Sequence, residues 1–152
     1  MDGRQIALGF ITGVIATIVM SVPIIIDALA GLSPIPQPIP LVVVKTTLGA
    51  RTHEALLLGV TTVAHLSYGG FWGAVLAVLA HPITIWKGVA LGIFVWLVQQ
   101  VVFLPYIGWG LFGTAITVAI AAVTFLNHMV YCLTSSWLLG RKEVLERLLP
   151  VD

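Results

Sequence analysis

Four long apolar stretches, separated by prolines, glycines and charged residues, make up most of the chain. Each is long enough to cross the hydrocarbon core of a bilayer as a helix, which takes roughly 20 residues. Because unpaired backbone amides are costly in lipid, helices are expected even where valine, isoleucine and threonine are frequent. The pattern therefore predicts four transmembrane helices, at residues 5–30, 52–80, 83–104 and 113–139.

Composition makes a membrane the expected environment. Hydrophobic residues are 59% and charged residues 9% of the 152 residues, and the mean hydropathy is +1.10. Soluble domains carry about 25% charged residues. Because the net charge is +1 and the chain has no basic run, nucleic-acid binding is not expected. We predict an all-α, integral membrane four-helix bundle in contact with the lipid bilayer.

Two connections between the spans carry distinct signals. Residues 33–40, SPIPQPIP, have proline at every second position, which forbids a helix and favours an extended strap. Residues 104–113, LPYIGWGLFG, contain three glycines and no charge. We therefore expect this second segment to fold back onto protein instead of standing in water.

Lysine and arginine predict the orientation of the chain. With four spans, both termini and the connection between the second and third spans share one side. That side holds Arg4, Lys87, Arg141, Lys142 and Arg147, and the other side holds Lys45 and Arg51. Since cytoplasmic segments are enriched in positive charge, both termini are expected in the cytoplasm. The sequence of residues 141–152 predicts a short amphipathic tail that lies on the cytoplasmic surface of the membrane. The alternative is a helix that docks specifically to a partner.

Two histidines lie inside the predicted spans, and a tyrosine follows each of them three residues later. His65 and Tyr68 occur in TVAHLSYGG, and His128 and Tyr131 occur in FLNHMVYCL. Both spans run in the same direction and each histidine lies near the middle of its span, so the two should share a depth. Because three residues are nearly one helical turn, each histidine and its tyrosine project from one face.

A weak internal repeat accompanies these pairs. The first span contains GVIATIVM from Gly13, and the third contains GVALGIFV from Gly88. Together with the two His–Tyr pairs, this similarity suggests that the bundle consists of two related helical hairpins.

Polar side chains in mid-membrane are costly and turn inward to find partners. In one reading they hydrogen-bond one another and hold the helices in register. In the other, His65 and His128 are axial ligands of haem b, because two imidazoles at one depth on two helices suit haem iron. Another metal or a proton relay would use the same pair. The side chains in question are His65, Ser67, Tyr68, Asn127, His128 and Tyr131.

Haem would also need room for its flat ring and partners for its propionates. Gly69 and Gly73 follow His65 and would leave that room, although close helix packing is an equally good reading of glycines spaced by four. Candidate propionate partners are Arg51 and the Trp109 indole. The predicted cofactor-binding set is His65, Tyr68, Gly69, Gly73, Asn127, His128 and Tyr131.

A second polar cluster is predicted near the non-cytoplasmic end of the spans. Its oxygen and imidazole groups could hold a divalent metal. In the alternative reading, these residues simply form the start of a helix, with Thr52 as the N-cap. The carboxylate of Asp27, in the first span, could pair with Arg51. The members of the predicted cluster are Asp27, His53, Glu54, Gln99 and Gln100.

Four short motifs carry a resemblance to a known group. GVIATIVM, HLSYGGFWG, LPYIGWGLFG and NHMVYCL together resemble a family of small, uncharacterised four-span membrane proteins of prokaryotes. The resemblance covers nearly the whole chain. It implies a multi-pass protein of the prokaryotic cytoplasmic (inner) membrane, and it implies no activity. Cys132 departs from the family pattern, which has glycine after the tyrosine.

Two functions remain open, and neither is enzymatic. The chain has no hydrolase or nucleotide-binding signature, and a single cysteine, Cys132, excludes an internal disulfide and a zinc–thiolate cluster. The first function is a non-enzymatic subunit of a membrane redox or electron-transfer assembly, holding haem b between His65 and His128. The second is a small oligomeric transporter or channel. Glycine-rich faces favour a homo-oligomer or other membrane subunits as partners. The predicted transport path is lined by His65, Gln99, Gln100, Asn127 and His128.

Overall fold

The computed structural model describes residues 3–49, 51–80 and 82–141, and within them the chain is helical and contains no strand. Four of the helices in this part of the chain are long and apolar enough to cross a membrane, judged by length and composition, and α2 is shorter. The helices are α1 (Gly3–Leu29), α2 (Ile39–Leu48), α3 (Glu54–Leu79), α4 (Ile85–Tyr106) and α5 (Ala119–Gly140). Of the predicted tail, residues 142–152 lie outside the described residues.

The long helices fall close to the predicted spans, except at the start of the last one. The first three differ from their predicted bounds by at most two residues at either end, whereas α5 starts six residues later than predicted. The delay has a conformational cause. Gly110 and Gly113 adopt positive φ angles of 73° and 74°, and Phe112 between them has a φ of 54°. These angles belong to the left-handed region, so the backbone turns here and the helix begins only afterwards.

Antiparallel α1 and α3 approach each other very closely through glycines. Gly13 lies against Gly69, and Gly9 lies against Gly73. A Cβ added to Gly13 would overlap the carbonyl oxygen of Gly69, and one added to Gly73 would overlap the carbonyl oxygen of Gly9. The backbones are therefore in direct contact, as in other membrane helix pairs built on small residues.

The α4–α5 pair has the same construction with slightly larger side chains. Gly88 lies against Ser136, and Gly92 lies against Cys132. The first hairpin, α1 with α3, and the second hairpin, α4 with α5, are thus built in the same way. In each, two small residues one turn apart on one helix contact two small residues one turn apart on the other. In these contacts Gly9 of the first hairpin occupies the position that Gly88 occupies in the second. The sequence motifs instead align Gly88 with Gly13, which lies one helical turn after Gly9.

The two hairpins meet through α1 and α5. Ala16 and Met20 of α1 form a buried cluster with Tyr131 and Cys132 of α5. By contrast, α3 and α4 make few contacts with each other. The helices therefore follow the order α3, α1, α5, α4 around the bundle.

The strap and α2 close one end of the bundle, which we call the strap end. Ile39 at the start of α2 packs against Leu104, Trp109 and Ile120. Trp109, in the glycine-rich connection between α4 and α5, is 8% exposed. The charge-free connection therefore packs against protein at Leu104 and Trp109, as predicted, whereas Tyr106 and Leu111 of the same segment are exposed. The opposite end, which holds Gly3 and Gly140, we call the terminal end.

Candidate functional site

A cavity of about 660 Å³ lies between the strap-end halves of the long helices and is bordered by the strap and α2. Its volume falls within the roughly 300–1,000 Å³ that is usual for ligand pockets. Most of its wall is apolar, and polar groups project into it from α3, α4 and α5. The glycine contacts described above hold the helices together towards the terminal end. The helices separate beyond these contacts, and this separation creates the cavity.

Both membrane histidines line this cavity. His65 projects from α3 and His128 from α5, so imidazoles from the two hairpins border the same space. The Nδ1 atom of His128 lies 2.7 Å from the carbonyl oxygen of Thr124. This contact assigns the proton of the neutral ring to Nδ1, because only an N–H can donate to a carbonyl. The Nε2 lone pair of His128 is then available to a ligand.

The two tyrosines that follow these histidines have different surroundings. The Tyr131 hydroxyl donates a hydrogen bond to the carbonyl oxygen of Gly69 at 2.5 Å and so ties α5 to α3. The Tyr68 hydroxyl is buried and has no hydrogen-bond partner among the described residues. The Tyr68 ring packs edge-on against Phe103 at 5.7 Å and Trp72 at 6.0 Å. Tyr131 therefore has a structural contact that Tyr68 lacks.

The two glutamines of α4 begin a π-helical segment, Gln99–Phe103. Pro105 has no N–H to give to the preceding turn, and the Leu104 N–H bonds the Gln99 carbonyl, five residues back. Gln99 lines the cavity. Gln100 is fully buried, and its Nε2 donates to the Thr124 hydroxyl at 3.0 Å, so it joins α4 to α5 and does not line the cavity.

The predicted mutual hydrogen bonding of the polar side chains is not what the described residues show. The bonds from His128 and Tyr131 go to backbone carbonyls instead. Ser67 is exposed on the outside of α3. Asn127 lines the cavity beside His128.

The predicted glycine positions serve helix packing. Gly69 borders the cavity, but the space that its Cβ would fill is already taken by the Thr17 hydroxyl. Gly73 contacts Gly9 and does not border the cavity. Gly69 and Gly73 were predicted either to leave room for a haem ring or to let the helices pack closely. Their contacts show close helix packing.

The described residues give no support to a metal site in the second polar cluster. In the described ranges, no group of three or more His, Cys, Asp or Glu side chains could hold a metal ion. His53 is the N-cap of α3, and its Nδ1 accepts from the Ala55 N–H at 3.3 Å. The expectation that Thr52 is the cap is wrong, because α3 starts at Glu54. No ion pair joins Asp27 to Arg51 among these residues.

Sequence reasoning missed several residues of the cavity wall. On α3, Thr61 and Trp72 line the cavity together with His65 and Tyr68. These four positions lie at spacings of four, three and four residues and therefore share one helix face. On α5, Thr124, His128, Tyr131 and Ser135 repeat the same spacing. Thr61 and Thr124 each lie four residues before a histidine. This shared spacing was the signal that could have added them to the predicted cofactor-binding set.

The donor set fits a b-type haem only in part. The imidazoles of His65 and His128 could hold the haem iron, and the Nδ1 contact of His128 is the kind of hydrogen bond that orients a histidine ligand. The propionates lack a cationic partner, since no described Lys or Arg borders the cavity. Of the predicted propionate partners, Arg51 is exposed and Trp109 belongs to the buried cluster under α2.

Comparison of the chain with protein-family models, with curated proteins and with solved structures finds no match. The resemblance to small four-span prokaryotic proteins, and the location in a cytoplasmic membrane that it implies, therefore stay predictions.

Proposed function

We propose that this protein is a non-enzymatic subunit of a membrane redox assembly, and that the strap-end cavity holds its redox-active group beside His65 and His128. The observation that carries the proposal is that imidazoles from two different hairpins border one cavity. Ionisable side chains within transmembrane helices are costly, and where they occur they mark functional sites by default. A neutral imidazole in a helical bundle suits a redox centre because it can ligate a metal or donate and accept hydrogen bonds.

Haem b is the first candidate for this group. His65 and His128 would hold its iron, and it would supply one-electron chemistry. Against it stands the uncharged wall of the cavity, because propionates buried without a cation carry a large desolvation cost. The imidazole pair and the uncharged wall thus favour different occupants, so the occupant has to be identified chemically.

The test is to identify what the protein carries when it is purified from its own membrane. We expect either a Soret band with a reduced α band, or a redox-active molecule in an organic extract. The variants His65→Ala and His128→Ala should lose the bound group, whereas the control His53→Ala should keep it, since His53 is an exposed cap residue outside the cavity. A parent protein with neither a chromophore nor a redox-active extract would refute the proposal.

Transport is a second candidate, favoured by one observation. Four of the five side chains predicted to line a path border the cavity, namely His65, Gln99, Asn127 and His128. The fifth, Gln100, lies in the interface between α4 and α5, and the backbones of α1 and α3 are in direct contact on the terminal side of the cavity. A liposome flux assay tests this candidate. We expect no solute or ion to cross faster than through empty vesicles, and a flux that His128→Ala abolishes would favour transport.

A further inference from the structure

We infer that the strap-end cavity binds the uncharged head group of a quinone that enters from the lipid bilayer. The inference rests on the proposed redox function and names the chemical class of the bound molecule. It comes from three features of the cavity: buried polar groups without partners, a wall without charge, and a rim on the exposed surface of α1.

Four buried polar atoms in the wall have no hydrogen-bond partner in the described part of the chain. Each belongs to a residue that lines the cavity, and they come from two helices that make few contacts with each other. Leaving a buried polar group unpaired is costly, so such groups are uncommon in folded proteins. A bound molecule would remove this cost. The atoms are Thr61 Oγ1, Tyr68 OH, Trp72 Nε1 and Gln99 Oε1.

The neighbouring residue Thr62 shows what an ordinary helical threonine does. Its hydroxyl donates to the Leu58 carbonyl at 2.9 Å, one turn back. The Thr61 hydroxyl makes no such bond, although it lies on the same helix. Its hydrogen-bonding capacity is therefore left for whatever occupies the cavity.

The chemistry of these groups suits both forms of a quinone. The Tyr68 hydroxyl and the Trp72 N–H can donate to the carbonyl oxygens of the oxidised ring. The Gln99 carbonyl can accept from a hydroxyl of the reduced ring. No described Lys, Arg, Asp or Glu lines the cavity, so the phosphate of a phospholipid would lack a counter-charge there. A neutral head group with acceptors and donors on opposite edges has no charge to bury, so it does not need a counter-charge in the wall.

Access from the bilayer is provided along α1. Ile18, Val22 and Ile25 border the cavity and are 53%, 51% and 56% exposed. The cavity therefore opens onto the apolar outer surface of the helix and is not confined to the bundle interior. An isoprenoid tail could lie along this surface while the ring occupies the cavity.

The test uses the purified full-length protein in lipid nanodiscs made without quinone. Decylubiquinone and menadione are titrated, and quenching of tryptophan fluorescence is followed, because Trp72 lines the cavity. We expect saturable quenching by at least one of the two probes. Tyr68→Phe should weaken binding about fivefold, the effect of losing one neutral hydrogen bond.

The matched control is Tyr106→Phe, which removes the same atom from an exposed tyrosine outside the cavity and should leave binding unchanged. Quenching that never saturates, equal affinity in the two variants, or displacement of the probe by dioleoylglycerol at similar concentration would overturn the inference. Protein that carries haem and does not bind either probe would refute the quinone alone. Protein that carries no redox-active group and binds neither probe would refute the redox proposal as well.

Discussion

The Tyr131 hydroxyl and the Gly69 carbonyl oxygen lie 2.5 Å apart and form the hydrogen bond that links the two hairpins at the base of the cavity. Tyr131 is 4% exposed, and Gly69 is the residue against which Gly13 packs. The repeat counterpart of Tyr131 is Tyr68, whose hydroxyl is unpaired. One tyrosine of the repeat is thus used to hold the helices, and the other is left facing the cavity.

The first prediction concerns this bond. Tyr131→Phe should lower the free energy of unfolding by about 1 kcal/mol, because interhelical hydrogen bonds in membranes are worth roughly 0.6–1.7 kcal/mol. The measurement is thermal unfolding in detergent. Tyr106→Phe is the control, since the Tyr106 hydroxyl contacts only the exposed Thr47 among the described residues. Equal stability of the two variants would show that the Tyr131 bond contributes nothing.

The second prediction concerns the glycine contact of α1 with α3. Gly73→Ala should destabilise the protein by about 1–3 kcal/mol, the usual cost of overpacking, because the added methyl group would meet the backbone of Gly9 and Gly13. Gly59→Ala on the same helix is the control, since nothing lies within 4 Å of its added Cβ. Unfolding midpoints of the two variants that coincide would contradict the close contact.

Most of the fold follows from hydropathy, and the exception has a local cause. The bounds of α1, α3 and α4 could be predicted because prolines, glycines and charges mark their ends. The start of α5 could not, since residues 104–118 carry no charge and hydropathy alone does not separate a packed loop from a helix. The positive φ angles of Gly110 and Gly113 decide the matter, and they depend on how the loop packs against α2.

The two histidines of the candidate site could be predicted from the sequence, whereas much of the surrounding cavity wall could not. A helix face can be read from spacing, so His65, Tyr68, His128 and Tyr131 could be grouped from the sequence. Spacing also shows that the adjacent Gln99 and Gln100 do not share a helix face, but which of the two faces the cavity required the three-dimensional arrangement. The contribution of α1, the strap and α2 to the wall required the three-dimensional arrangement, since none of them carries a polar motif that points to a site.

The third prediction uses the unpaired amide oxygen of Gln99. Gln99→Leu should raise the melting temperature of the quinone-free protein, because it removes a buried group that has no partner in the described chain. It should also reduce the stabilisation that added decylubiquinone gives. Thermal scans with and without the probe measure both effects. Gln37→Leu is the control: Gln37 is exposed and loses only a surface hydrogen bond from Lys45, so the quinone-dependent stabilisation should stay unchanged and the melting temperature should not rise.

If Gln99→Leu instead lowered the melting temperature and left the quinone-dependent shift intact, Gln99 would be a structural residue with a partner and not part of a binding wall. Such a result would leave only the groups of α3, Thr61, Tyr68 and Trp72, as unpaired polar groups of the described wall and would weaken the case for a ligand with two polar edges.

The shared cavity of His65 and His128 is tested most directly by bridging the two positions with one metal ion. The double variant His65→Cys, His128→Cys is made in a Cys132→Ser background, treated with Hg²⁺ and washed with a small thiol, and its intact mass is measured. We predict one retained Hg²⁺ per chain and no free thiol, whereas the pair His53→Cys, His128→Cys should retain none, because His53 lies outside the cavity. Loss of the metal from both variants would mean that the two side chains do not meet, and would contradict a common binding site between the hairpins.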